Sequence, residues 1–526
     1  MPPRTRPPKP PTSPVPAPPT NRSSRSKNAN NLKDNTVSPE SDSLPPPKTV
    51  AAAAPARVTR KRGGGTTAAA PKAAYNPRGV AKPKSPPALV NSIPAPPAHL
   101  RPSLKLFGWA SNEFGQLGVV EAVTDNGPPE RRKPMRNMWV ESKIEEGLFG
   151  EDGAGLETVA AGGMHTLFVD EKGTIWACGN NDDAALGIPN GEQVDLVYTP
   201  VPLQSLVDEG FRAVKVFAGD NISLAISSSG DLRIWGTFKG NNGYVGFPNG
   251  AHKQFVPMPI LALPDEKLAD AVAGPNHVLL LTTLGNVFTF GSGEEGQLGR
   301  RVIERRKIHG TVPEKIVVGG RGRKMVTVGT GWNHSFAVDT EGVVWGWGVN
   351  NHGQTGTGVH PQHPQTDFNF STPRQVLGLS SDELDGDVVT QIAGGQAHTV
   401  FLTSRGRVYA CGLSDEGRLG LADDDVAFED RAFEDSLPVP ARVTFPDGDD
   451  DPVVQVSCGT NHTLAVTRDG AMYSWGRQVQ GELGLNSEEG FVKTPTTVVK
   501  RSGGAYAAVM ASAGGTHCLA LLRKRS

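Results

Sequence analysis

The chain has 526 residues, a net charge of -1 and 37% hydrophobic residues, with 63 glycines but only 6% aromatic residues. It has no run of 18 or more apolar residues, and its N-terminal sequence MPPRTRPPKP lacks the apolar segment of a secretion signal. This composition argues against membrane insertion and secretion, and it predicts an intracellular protein with many turns.

Charge is segregated along the chain. Residues 1–100 contain 16 Lys and Arg but 3 Asp and Glu, whereas residues 101–526 contain 37 basic and 51 acidic residues. The first segment also holds 23 of the 44 prolines. We therefore predict a disordered basic tail over 1–100, joined to an acidic folded body over 101–526.

The tail contains a basic cluster in the stretch VTRKRGGG, formed by Arg57, Arg60, Lys61 and Arg62. Such a cluster predicts a nuclear-import signal read by an import receptor, or a contact with DNA phosphates. A soluble linker whose charge only prevents aggregation is the alternative.

The body is built from repeats. One half-motif is an apolar alternation that ends in Gly, followed by a polar loop that usually closes with Gly-x-Leu-Gly. It occurs seven times, at 104–118, 174–187, 231–246, 286–299, 343–356, 407–420 and 471–484.

The second half-motif is a Gly-x-x-His turn that leads into an apolar strand, and it also occurs seven times. Its histidines recur every 55 to 64 residues, with Ile222 in place of one of them: His165, His277, His334, His398, His462 and His517. Four short strands per unit at this period predict an all-β fold, a seven-bladed β-propeller. The chain enters on the first half-motif and leaves on the second, so the first strand is expected to pair with the last and close the ring.

The repeated histidines suggest a metal or catalytic site, but a ring places them on different blades. We therefore predict that they stabilise turns through side-chain hydrogen bonds. The four cysteines, which include no CxxC pair, are predicted to be reduced and buried. Since the glycine-rich turns lack GxxxxGK[ST] and join strands, we expect no cofactor, no metal and no enzyme of covalent chemistry.

The doubled repeat resembles that of the regulator of chromosome condensation family, and the resemblance covers essentially all of 104–526. Further matches are AAGGMHT (160–166), ERRKP (130–134), WGTFKGNNGYVG (235–246) and GSGEEGQLGR (291–300). The resemblance implies a guanine nucleotide exchange factor for the small GTPase Ran, bound to chromatin in the nucleus as a monomer. An alternative is a propeller used only as a scaffold for chromatin or protein partners.

In that family one propeller face grips the GTPase, and a wedge hairpin in the third unit presses near its phosphate-binding loop. The glycines and adjacent asparagines of 237–246 are turn residues that predict a protruding hairpin. The resemblance assigns the wedge to this stretch, with Phe238, Lys239, Asn241 and Asn242 as contacts. It assigns further contacts to the matching positions Glu113, His165, Asp220, Asn276, His398 and His517. Glu113 and Asn276 stand where the family usually has aspartates.

The resemblance also implies a second surface. Residues 300–324 are densely basic and correspond to the loop with which the family contacts histones of the nucleosome. Arg321, Arg323 and Lys324 are the predicted anchors, because a guanidinium binds a carboxylate-lined pocket through two hydrogen bonds. A solvated loop without a partner is the alternative.

Overall fold

The computed structural model describes residues 88–97, 99, 101, 103–118, 135–141, 155–189, 193–359, 368–429, 435–485, 487 and 489–525. The cations of the basic cluster at 57–62 and the motif at 130–134 lie outside the described residues, as do 430–434. Among the described residues, no helix has the length and apolar character needed to cross a bilayer.

The regular secondary structure of the described residues is almost entirely β-strand. Its strands are β1 (Lys105–Ala110), β2 (Met135–Glu141), β3 (Leu156–Ala161), β4 (His165–Asp170), β5 (Ile175–Asn180), β6 (Leu196–Pro202), β7 (Ala213–Ala218), β8 (Ile222–Ser227), β9 (Leu232–Gly236), β10 (Lys239–Gly240), β11 (Gly243–Tyr244), β12 (Gln254–Met258), β13 (Leu268–Ala273), β14 (His277–Thr282), β15 (Val287–Gly291), β16 (Glu314–Ile316), β17 (Met325–Thr330), β18 (His334–Asp339), β19 (Val344–Val349), β20 (Asn369–Gln375), β21 (Val389–Gly394), β22 (His398–Thr403), β23 (Val408–Leu413), β24 (Ser436–Val443), β25 (Val453–Cys458), β26 (His462–Thr467), β27 (Met472–Arg477), β28 (Phe491–Val499), β29 (Tyr506–Ala513) and β30 (His517–Lys524). One short α-helix, α1 (Gln204–Glu209), follows β6, and 3₁₀ turns lie at Glu304–Thr311, Asp415–Gly417 and Val426–Phe428.

The described strands form five sheets of four strands: β3-β4-β5-β6, β12-β9-β8-β7, β13-β14-β15-β16, β25-β26-β27-β28 and β2-β1-β30-β29. An eight-stranded sheet has the order β20-β19-β18-β17-β21-β22-β23-β24, and β10 and β11 form a separate hairpin. The prediction of an all-β propeller is confirmed, but seven separate sheets are not seen. The difference arises because β17 and β21 approach closely enough for one parallel bridge, between Thr330 and Ala393.

The first and last strands pair as predicted. β1 is antiparallel to β30, with a register that runs from Lys105 opposite Leu522 to Ala110 opposite His517. Six of the seven strands that begin at the repeated His or Ile are buried along their whole length, because each packs against neighbours on both faces. The seventh, β30, is buried except for its last two residues.

The packing between sheets explains the Gly-x-Leu-Gly motif. Its leucine is buried, as at Leu186. In four units its last glycine packs against the tryptophan of the next unit. At Gly187, which has a φ of 73°, a Cβ would lie 2.9 Å from Trp235 Nε1. The same arrangement recurs at Gly299 with Trp347, Gly420 with Trp475, and Gly484 with Trp109.

Strand direction gives the ring two ends. The Gly-x-x-His turns and the Gly-x-Leu-Gly loops share one end, as shown by the pairing of His165 with Gly179; we call this end the histidine face. The turns that join β4 to β5, β14 to β15 and the equivalent strands lie at the other end, which we call the opposite face.

Residues before β1 already contact the sheets. The amides of Val90 and Asn91 donate to the Thr283 carbonyl over 2.8 and 3.0 Å. The Asn91 side chain donates to the carbonyls of Thr282 and Met325. Contacts with the folded body thus begin before the predicted boundary at residue 101.

Candidate functional site

The hairpin of β10 and β11 interrupts the regular repeat on the histidine face. Lys239 pairs with Tyr244 and Gly240 with Gly243, which leaves Asn241 and Asn242 exposed at the tip. Gly243 has a φ of 104°, and a glycine at that position lets the chain turn back after two asparagines. The hairpin predicted from the glycines and asparagines of 237–246 is therefore present.

Phe238 does not belong to the exposed surface of this hairpin, which corrects the prediction that its side chain contacts a partner. Its side chain is fully buried, with ring centroids 5.3 Å from Phe247 and 5.7 Å from Phe290. An aromatic ring gains more from this apolar surrounding than from water. Phe238 therefore anchors the base of the hairpin in the core.

Asn276 holds the first hairpin strand. Its Oδ1 accepts a hydrogen bond from the Lys239 amide over 2.8 Å and another from Asn221 Nδ2 over 3.4 Å. Both contacts use a side-chain oxygen, which the family's usual aspartate also has. The replacement of aspartate by asparagine therefore keeps the acceptor that the hairpin needs and removes only the charge.

Two of the predicted contacts on the histidine face are carboxylates, one exposed to solvent and one beside the central cavity. Glu113 is exposed in the loop that follows β1. Asp220 lies in the turn before β8 and lines the central cavity together with Gly162, Gly274 and Gly331. Burial raises the pKa of Asp220 to about 6, opposed by the nearby Lys239 ammonium.

The repeated histidines lie inside the ring. His165, His398 and His517 are at most 1% exposed, so burial corrects the prediction that they present their side chains to a partner. Burial also lowers the pKa of His165 to about 4 and those of His398 and His517 to about 3.

A hydrogen-bond relay explains the positions of these histidines. His165 Nε2 lies 2.9 Å from Ser223 Oγ, and that hydroxyl donates to the Ala185 carbonyl. Since the hydroxyl proton is used on the carbonyl, the neutral imidazole must donate from Nε2. Each histidine bonds to the residue after the His or Ile position of the next unit: Ser223, Ser335, Thr399, Thr463, Cys518 and Thr166.

The predicted structural role is therefore confirmed, although the partner is in the next repeat unit and not in the same turn. Where Ile222 replaces histidine, the next unit has Val278 in place of a hydroxyl residue, and both side chains belong to one apolar cluster. Ile222 and Val278 replace both partners of the hydrogen bond, so the contact between these two units is apolar.

Sequence reasoning missed the carboxylates that flank the hairpin. Asp183 pairs with Lys239, and Glu294 accepts a hydrogen bond from the Asn241 amide. These partners are more than 50 residues apart in sequence, so no local pattern could have shown the contacts.

The basic stretch 300–324 divides between the two ends of the ring, which corrects its description as one loop. Lys307 pairs with Glu294 over 3.1 Å on the histidine face. Strand β16 then runs along the edge of its sheet, antiparallel to β15, toward the opposite face. Arg321, Arg323 and Lys324 follow it there.

The three predicted anchors differ in their surroundings. Arg323 lies over the Trp345 ring and pairs with Asp339 and Glu341. The hydrogen bond to Asp339, with the charges of both carboxylates, raises the pKa of its guanidinium. Lys324 Nζ donates to Asn286 Oδ1 over 3.2 Å. Arg321 is exposed between Gly320 and Gly322, and within the described residues its side chain has no hydrogen-bond or ion-pair partner.

Comparison with known proteins agrees with this architecture. A family model described as RCC1-like domain matches residues 105–520. The chain is 32% identical over 440 residues to Protein pim1 of Schizosaccharomyces pombe, covering 81% of this chain and 75% of the relative. It is 27% identical over 443 residues to the guanine nucleotide exchange factor SRM1 of Saccharomyces cerevisiae, covering 78% and 86%.

Among solved structures, the chain is similar to Prp20p from Saccharomyces cerevisiae, whose structure was described together with its binding to Gsp1p and histones. The TM-score is 0.69 at 26% sequence identity, over 81% of this chain and 93% of that protein. The likeness thus covers most of both chains.

Proposed function

The chain belongs to the family of the regulator of chromosome condensation, and we propose that it is a guanine nucleotide exchange factor for the small GTPase Ran that works while bound to chromatin. The β10–β11 hairpin carries this proposal, because it is the feature of the third unit that departs from the repeat and places two exposed asparagines on the histidine face. SRM1, a relative over most of its length, is named as an exchange factor.

In this mechanism the ring binds the GTPase and the hairpin weakens its hold on the nucleotide. Glu113 and Asp220, on the histidine face, bind a basic surface of the GTPase. The hairpin tip then enters beside the phosphate-binding loop and disorders the nucleotide and magnesium site of the GTPase. Binding energy used in this way weakens bound GDP without any covalent step.

We also propose that the eight-stranded sheet acts as two blades, which gives the ring seven blades. A single parallel bridge joins its halves, whereas each half is a four-stranded antiparallel meander. An apolar cluster that includes Phe336 and Phe401 lies between the halves, as clusters do between separate sheets.

The proposed exchange activity is tested by release of fluorescent GDP from Ran with catalytic amounts of the full chain. We expect acceleration on Ran and none on other small GTPases. The double variant Asn241→Ala/Asn242→Ala should keep the wild-type melting temperature, because both side chains are exposed, and lose most of the acceleration. Release at the intrinsic rate with the wild-type chain would reject exchange and leave the scaffold function.

For the second partner we propose that Arg321 is the main anchor on nucleosomes. Its guanidinium is exposed, whereas the Arg323 guanidinium and the Lys324 ammonium are already bound within the chain. The histone binding described for Prp20p supports histones as the partner. Arg321→Ala should weaken nucleosome binding at least about tenfold and leave GDP release unchanged. Arg323→Ala is the matched control, since it removes the same charge from a paired position; an equal loss of binding in both variants would reject Arg321 as the anchor.

This function places the protein in the nucleus. The basic tail would then supply salt-sensitive contacts with DNA and the signal for an import receptor, and the ring would act as a monomer. Deleting residues 1–82 should leave GDP release unchanged and reduce nuclear accumulation.

A further inference from the structure

The β10–β11 hairpin is too short to fix its own orientation. Each strand has two residues, and isolated two-stranded hairpins are only marginally stable in water. Its position must therefore come from contacts with the sheets on either side.

On one side the hairpin is held by Asp183, from the loop after β5. The Asp183 carboxylate pairs with the Lys239 ammonium and accepts a hydrogen bond from the Tyr244 hydroxyl over 3.1 Å. Lys239 and Tyr244 face each other across the hairpin, so one carboxylate binds both strands. The Lys239 ammonium also lies 5.6 Å from the centroid of the Tyr244 ring.

On the other side the hairpin is held by Glu294, from the equivalent loop after β15. One oxygen of its carboxylate accepts from the backbone amide of Asn241, and the other lies 3.1 Å from Lys307 Nζ. The neighbouring Glu295 accepts from Asn241 Nδ2 over 3.1 Å and from Asn369 Nδ2 over 2.7 Å. The tip is thereby tied to the sheet that follows it.

Both carboxylates are shielded from water. The side chain of Asp183 is 13% exposed and that of Glu294 is 9% exposed. Charged hydrogen bonds in such surroundings are stronger and more directional than at an open surface. The space is also closely filled, since a Cβ on Gly240 would lie 2.7 Å from Glu294 Oε1.

We propose that Asp183 and Glu294 are positioning residues for nucleotide exchange, which clamp the hairpin from the preceding and the following sheet. The proposal rests on the exchange function proposed above. The clamp holds the tip at a fixed angle before the partner arrives, so that binding energy is spent on the GTPase and not on ordering the hairpin.

The first test compares Asp183→Asn with Asp182→Asn. Both variants remove one negative charge from the same loop, but the Asp182 carboxylate is exposed and does not contact the hairpin. Asp183→Asn should lower kcat for GDP release at least about tenfold with a smaller change in KM, because the ring still binds the GTPase. Asp182→Asn should stay within about twofold of the wild type, and an equal fall in both variants would overturn the clamp.

The second test leaves every charge in place. In Gly240→Ala the added methyl group displaces the Glu294 carboxylate from the Asn241 amide. We expect lower kcat at an unchanged melting temperature, and restored kcat when Glu294→Asp, a shorter carboxylate, is added. A fall in kcat that tracks a fall in melting temperature would show a merely structural role.

A third readout does not depend on exchange activity. In the free protein, hydrogen exchange at the Asn241 amide should be faster in Asp183→Asn and Gly240→Ala than in the wild type and Asp182→Asn. If the wild type fails to accelerate GDP release, the proposed function is wrong, while this measurement still decides whether the clamp exists. Unchanged protection in all variants would overturn the clamp even if exchange is observed.

Discussion

At the scale of single residues, the repeated histidine shows why a repeated chemical group is not in itself a site. His165 lies against the hydroxyl of Ser223 and is closed off from solvent, so its imidazole links two sheets. The sequence could predict this role from the repetition alone. It could not show that the acceptor follows the histidine position of the next unit, which became visible only when the sheets were placed side by side.

The relay predicts paired losses of stability. His165→Ala should lower the free energy of unfolding by about 2–4 kcal/mol, and Ser223→Ala by about 1–3 kcal/mol, because each leaves a buried polar group unpaired. GDP release by the folded fraction should stay within about twofold at low temperature. A tenfold loss of release by His165→Ala without a loss of stability would instead show that the side chain contacts the GTPase.

The ionised Asp220 carboxylate should support GDP release but lower the free energy of unfolding, so its effect on stability depends on pH. Its pKa in the folded protein is about 6, above the ordinary value of 3.8, so protonation favours folding. The contribution of this group to stability is therefore present below pH 3.8 and is lost as the pH rises through 6.

Asp220→Asn keeps the side chain neutral at every pH. We expect the variant to melt several degrees above the wild type at pH 7.5 and at nearly the same temperature at pH 3.5, below the ordinary pKa of 3.8, while its rate of GDP release at pH 7.5 falls. Denaturation at the two pH values is the measurement. A variant that is less stable than the wild type at pH 7.5 would contradict this account.

At the scale of elements, the turn residues of 237–246 were sufficient to predict the hairpin but not its attachment. Glycines and asparagines dictate where the chain reverses. Whether Phe238 points to solvent or into the core depends on Phe247 and Phe290, which reach it from other parts of the chain. The basic stretch 300–324 was misread for a similar reason, since the short strand β16 within it carries the chain from one face to the other.

The burial of Phe238 separates folding from exchange within this element. Phe238→Ala should cost about 3–5 kcal/mol of stability, because it leaves a cavity between two aromatic rings. Replacing the exposed tip residues Asn241 and Asn242 with glycine and serine should cost almost nothing. Thermal melts of the two variants, compared side by side, check this; equal melting temperatures would mean that Phe238 is not a core residue.

At the scale of the whole molecule, the closure between β1 and β30 was predictable from the order of the half-motifs. The number of separate sheets was not, because a single bridge between β17 and β21 depends on atomic positions that the repeat does not encode. The strand that closes the ring also supplies buried residues, among them Cys518, Leu519 and Leu521. Pairing of β30 with β1 therefore closes the ring and completes part of its core.

Removal of residues 514–526 should unfold the ring cooperatively. The truncation removes the hydrogen-bonding partner of both β1 and β29 and exposes two apolar surfaces. Calorimetry of the truncated chain should show no transition at the wild-type temperature, whereas removal of only residue 526 should have no effect. Unchanged melting of the truncated protein would mean that the ring does not depend on this closure.

The pairing of β1 with β30 also determines when the protein can first work during its synthesis. β1 emerges from the ribosome long before its partner, and its exposed edge must wait while more than 400 residues are added. Such an edge can pair with strands of other chains. The newly made protein therefore depends on protection of its first strand until the last one arrives, and the cell obtains no partial activity from an unfinished chain.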